Sequence, residues 1–143
     1  MTPEQELKIE QMQRLAEQNG LGEIVNLLWK LHPNFTAWVA KDFWEFRLIS
    51  PGSYPSQETV FYAAFVVYPT QTTAVKIELK VDNLALLYNK PIKECQNFVK
   101  LLQSHLQQHR YWRNDEWQNY LLCNKEQAQQ FIELFCRFAD ITS

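Results

Sequence analysis

From the N-terminus, apolar positions first recur at helical spacing. Leu7, Met12, Leu15 and Ala16 lie on one side of a segment otherwise covered by glutamate and glutamine, the pattern of a surface helix. Thr2 before Pro3, with Gln5 three residues after Thr2, has the form of a capping box, and Asn19-Gly20 supplies a left-handed stop. A second helix is expected from Leu21 to His32, where Ile24, Leu27, Leu28 and Leu31 share a face and Pro33 ends the pattern.

The period changes to two from Asp42 to Ser50. Trp44, Phe46 and Leu48 face one way and Phe43, Glu45, Arg47 and Ile49 the other, which predicts a strand. The stretch SPGSYPSQ predicts a connecting loop, and Thr59 to Tyr68, apolar on both faces, predicts a central strand. After the turn PTQTT, Val75, Ile77, Leu79 and Val81 alternate with Lys76, Glu78, Lys80 and Asp82, an amphipathic strand. A short strand is expected at Leu84 to Tyr88. Pro91 then opens a long helix carrying Ile92, Cys95, Val99, Leu102 and Leu106. Residues 110–123 fit no single period, although Tyr120 to Leu122 read as strand. Asn124 with Gln127 caps a last helix whose Ala128, Phe131, Ile132, Phe135 and Phe138 form an apolar stripe. The order ααβββ(β)αβα predicts an α+β fold: one single-layer, mainly antiparallel sheet of three to five strands flanked by helices, with residues 1–143 as a single globular domain.

The turn fixes a register. With Tyr68 opposite Ala74, Phe61, Ala63, Phe65 and Val67 lie across from Val81, Leu79, Ile77 and Val75, whereas a slip of one residue would set charges against the apolar row. The other face then gathers Tyr62, Ala64 and Val66 beside Lys80, Glu78 and Lys76, with Phe43, Glu45 and Arg47 from the preceding strand.

Composition narrows the function classes. At 46% hydrophobic and 14% aromatic residues with only 3 glycines, the chain reads as a packed globular protein rather than a disordered or repetitive one. A net charge of −2 supplies no global field toward nucleic acid or an anionic membrane, so any such binding needs a local patch. The odd number of cysteines, Cys95, Cys123 and Cys136, set among apolar neighbours, predicts buried free thiols in a reducing compartment. No signal core or membrane-length apolar run is found, and a cytoplasmic location is expected.

Three constellations bear on chemistry. Glu78-Leu79-Lys80 resembles the Glu-x-Lys of metal-dependent nucleases of the PD-(D/E)xK type, in which the acid holds a metal and the lysine polarises water or phosphate. Such a site needs a second acid, for which Glu45 and Glu58 are only loosely placed. His105 and His109, four apart in a helical reading, share one side as a zinc pair would, with Asp115, Glu116 or Cys123 the nearest third ligands. Histidines near a helix C-terminus also serve the helix dipole. The run His109-Arg110-Tyr111-Trp112-Arg113 interleaves cations with rings, as single-stranded nucleic acid binding does, but Asp115 and Glu116 follow at once. A structural reading packs Tyr111 and Trp112 in the core and pairs the arginines with those acids. Glycine-rich phosphate loops and nucleophile elbows are absent, and His32 beside Pro33 reads as structural.

The sequence therefore points to a non-catalytic protein-binding module that occupies a partner protein. In size, mild acidity and lack of catalytic motifs it is similar to small phage-type inhibitors and bacterial toxin-neutralising immunity proteins, which implies an inhibitor or immunity role. The expected partner-binding residues are Arg47, Tyr62, Lys76, Glu78 and Lys80 on the sheet, and Tyr111, Trp112, Arg113 and Trp117 in the aromatic segment. Another protein is the expected partner; no catalytic residue, metal, cofactor or membrane contact is expected. The alternative is a metal-dependent nuclease-like or nucleic-acid-binding protein using Glu78 and Lys80 or the Arg110–Arg113 segment.

Overall fold

In a computed structural model that describes residues 2–30, 35–40, 42–50, 60–113 and 115–140, the chain is an α+β protein. Its described elements are α1 (Pro3–Gln18), α2 (Gly22–Lys30), β1 (Phe35–Val39), β2 (Trp44–Ser50), β3 (Val60–Val67), β4 (Val75–Leu79), α3 (Val81–Leu87), α4 (Ile92–His105), β5 (Gln107–Arg113), β6 (Glu116–Cys123) and α5 (Lys125–Phe138). Both capping boxes form: the Gln5 backbone N–H donates to Thr2 Oγ1 at 3.2 Å and that of Gln127 to Asn124 Oδ1 at 2.9 Å. Gly20, with φ of 78°, supplies the left-handed stop after α1.

All strands pair antiparallel in one sheet of order β1-β2-β3-β4-β6-β5. The β3–β4 register is the one the burial pattern selects, Phe65 opposite Ile77 and Ala64 opposite Glu78, and the Tyr68 N–H donates to Ala74 O at 2.8 Å. The apolar row of β2, β3 and β4 meets the helices. The ring centre of Trp29 on α2 lies 5.9 Å from that of Trp44 and 5.0 Å from that of Phe46, and Phe135 on α5 meets Phe65 at 5.5 Å, all in edge-to-face geometries that favour the ring quadrupole. Leu102 of α4, Cys123 and Cys136 belong to this core, Cys95 is buried as well, and the three thiols are free.

Several expectations need correction. The sheet has six described strands, one more than the largest expected number; β1 was not expected, because Phe35–Val39 is short and shows no alternation. Leu84 to Leu87 is helix rather than strand, with Tyr88 as the C-cap. Val81, which continues the period-two pattern of β4, instead opens α3, where Val81, Leu84 and Ala85 stand at helical spacing. The Leu84 N–H donates to Lys80 O at 2.9 Å, and the Asn83 side-chain amide donates to Phe61 O, holding that helix against β3. β5 and β6 pair as a hairpin, so His105 closes α4 while His109 sits on β5, and the two imidazoles do not share a helix. His32, Pro33, the loop at 51–57, Glu58 and Thr59 lie outside the described residues.

Candidate functional site

The site is built where the β3–β4 and β5–β6 hairpins meet. Backbone pairing between β4 and β6 extends only from Val75 opposite Cys123 to Ile77 opposite Leu121. Past Ile77 the strands part, leaving a cleft of about 290 Å³ between Glu78–Asp82, Trp117–Asn119 and Gln103 of α4. Side chains take over where the ladder stops. Glu78, the residue after the last pair, is only 6% exposed. Its carboxylate accepts from the Tyr111 hydroxyl at 3.4 Å (Oε1) and 3.3 Å (Oε2), and Arg113 Nη2 lies 3.5 Å from Oε1.

Burial pushes the Glu78 carboxyl above its ordinary value. Arg113, the Tyr111 hydrogen bond and Arg47 oppose that push, and Glu45 adds to it. Burial also raises the phenols of Tyr120 and Tyr111. Around this anchor, rings and cations alternate across the sheet. Trp38 meets Phe43 at 5.6 Å, Phe43 meets Tyr68 at 5.7 Å, Lys76 lies 5.1 Å from the Tyr68 ring and 5.8 Å from that of Tyr120, and Tyr120 stacks on Tyr111 at 5.0 Å. Arg113 covers Tyr111 at 5.5 Å. The row thus passes from β1 to β5 through contacts each within reach of ring–ring or cation–π attraction.

The nine residues expected from sequence divide between the two sides of the sheet. Lys76, Glu78, Tyr111 and Arg113 come together on one. Arg47, whose Nε donates to Glu45 Oε1 at 3.0 Å, acts on Glu78 only through space. Tyr62 and Lys80 lie farther along the β3–β4 pair, the Lys80 N–H donating to Tyr62 O at 2.9 Å. Trp112 and Trp117 face the other side, opposite each other across the β5–β6 pair, with rings 5.2 Å apart edge to face. Each is 57% exposed, so Trp112 is not a core residue, and Arg110 lays its guanidinium 4.6 Å from the Trp117 ring rather than on an acid. Arg113 likewise pairs with Glu78 and not with Asp115 or Glu116.

Tyr120 and Trp38 were missed. Tyr120 could have been found from the β6 alternation, which sets it opposite His109 and on the side of Tyr111, had the hairpin been recognised. Among the described residues no three histidines, cysteines or acids gather at metal-binding distance, and no helix is long and apolar enough to cross a membrane. Comparison with protein-family models, with curated proteins and with solved structures gave no match.

Proposed function

We propose that this chain is a non-catalytic protein-binding module that acts in the cytoplasm by occupying the surface of another protein, in the manner of a small inhibitor or a toxin-neutralising immunity protein. The observation that carries this reading is the Trp112–Trp117 pair, more than half exposed on an outer hairpin and backed by Arg110. Trp, Tyr and Arg dominate binding energy because they bury much area for few rotatable bonds, and here they are held by their neighbours before any partner arrives.

The competing readings have less support. Bases need open ring faces, but Tyr111 and Tyr120 stack on each other, with Arg113 against the Tyr111 ring and Lys76 against that of Tyr120. A Glu-x-Lys nuclease needs two acids free for metal, whereas Glu78 holds Tyr111 and Arg113, and Glu45 is held by Arg47. The test is affinity capture from the native cell, followed by calorimetry of the purified partner against wild type, Trp112→Ala and Trp117→Ala. Loss of about 1 to 3 kcal/mol at either position, with melting temperature unchanged, is expected for a contact of this type. Unchanged affinity in both folded variants sinks the assignment.

A further inference from the structure

The outer edge of the sheet extends the partner-binding reading and rests on it. β5 pairs on one side only, with β6, so every second residue along it turns its backbone N–H and C=O away from the sheet. Natural sheets blunt such an edge with a short strand, proline, lysine, a bulge or a covering helix. β5 is seven residues long, contains neither proline nor lysine, keeps its register unbroken from Gln107 to Arg113, and is exposed at every position except the half-buried Tyr111. The opposite edge is shorter: β1 has five residues, and Met12 and Leu15 of α1 line a cavity with its Trp38 and Val39.

The charge on β5 selects its occupant. His109, Arg110 and Arg113 stand on it and no acid does. Arg113 is directed to Glu78, but among the described residues Arg110 has no carboxylate at ion-pair distance. A second copy fits poorly. Antiparallel self-pairing centred on Arg110 opposes Arg110 to itself, centring on His109 opposes the imidazoles, and centring on Tyr111 sets His109 against Arg113. We infer that β5 is a docking edge for an extended, acidic segment of the partner polypeptide. That segment joins the sheet as a seventh strand through main-chain hydrogen bonds and sets its carboxylates on one face, beside Arg110 on the side that Arg110 shares with Trp112.

The probe is a capped octapeptide alternating glutamate and valine, compared with its lysine counterpart and with the acidic peptide methylated at every internal backbone nitrogen. Hydrogen exchange of the full chain reads the result. The acidic peptide slows the outward amides of residues 107–113 by about tenfold or more at saturation, while the lysine and methylated peptides leave them unchanged. Arg110→Glu, at unchanged melting temperature, weakens the acidic peptide about tenfold. Gln108→Pro and His109→Pro are adjacent, so one of them removes an outward N–H and leaves the β5–β6 ladder intact; the variant that folds loses the peptide. No slowing at saturation, equal slowing by the methylated or lysine peptide, full binding to Arg110→Glu, or slowing without peptide that grows with protein concentration each overturns the inference. A captured partner whose affinity depends on Trp112 and Trp117, but which leaves β5 exchange unchanged, overturns the edge alone and leaves the proposed function standing.

Discussion

The β3–β4 and β5–β6 hairpins are built alike, as two antiparallel strands with matched registers, yet the first buries both faces along most of its length and the second exposes most of its residues. In the first, Ala63 to Val67 and Val75, Ile77 and Glu78 are buried, and the apolar row meets α2 and α5. In the second, only Leu121 and Cys123 are buried, at the end that pairs with β4, while four aromatic rings and three basic groups occupy the rest. Identical backbone bonding thus supports opposite tasks. What separates them is how much of each strand a second layer covers, and burial rather than pairing supplies most of the stability.

The largest effect that sharpens this contrast is on folding. Phe65→Ala, in β3, removes a fully buried ring and its edge contact with Phe135, and chemical denaturation should show a loss of about 3 to 5 kcal/mol. Trp117→Ala, in β6, removes a larger ring that is already mostly in water. Its stability loss should stay within about 1 kcal/mol, the size of one edge-to-face pair, while partner affinity falls by more than stability does. A Trp117 variant as unstable as the Phe65 variant would erase the distinction. Smaller again is the coupling between Arg110 and Trp117: a double-mutant cycle on stability should return about 0.5 to 1 kcal/mol, the usual yield of an exposed cation–π contact.

Glu78 joins the two hairpins, and its prediction is one of sign. Because burial raises its pKa in the folded protein, the folded state binds the proton more tightly than the unfolded chain does. The stability that this group contributes is complete below its ordinary value of 4.5 and is lost as pH rises through the raised value. Arg113, Tyr111, Arg47 and Glu45 all act on the carboxylate in that range. Wild type should therefore lose stability relative to Glu78→Gln as pH rises through this window, measured by denaturant midpoints at each pH. A relative gain with rising pH would mean that the attraction of Arg113 outweighs burial.

The same contrast explains what was legible in the sequence. The β3–β4 register followed from Val75, Lys76, Ile77, Glu78 and Leu79, because a strand with one buried face carries a period of two and a one-residue slip would bury charge. The run from Arg110 to Trp117 gave no period because both sides of β5 face water, so no burial sorts Tyr111 from Trp112. Burial also could not reveal α3, since Val81 satisfies the strand pattern and the helix pattern alike. Capping chemistry was legible at both Thr2 and Asn124 because it depends on neighbours three residues apart and not on tertiary contacts. The site residues Glu78, Tyr111 and Arg113 were visible one by one, but their meeting was not, for it depends on β6 returning between β4 and β5.

The central claim is that the outer hairpin is the contact surface. Hydroxyl-radical footprinting of the tryptophans and tyrosines, free and in complex with the captured partner, tests it most directly. Protection should concentrate on Tyr111, Trp112 and Trp117, with Trp29 of α2 unchanged. Protection of Trp29 with Trp112 and Trp117 as reactive in the complex as in the free chain would move the contact to α2 and overturn the claim.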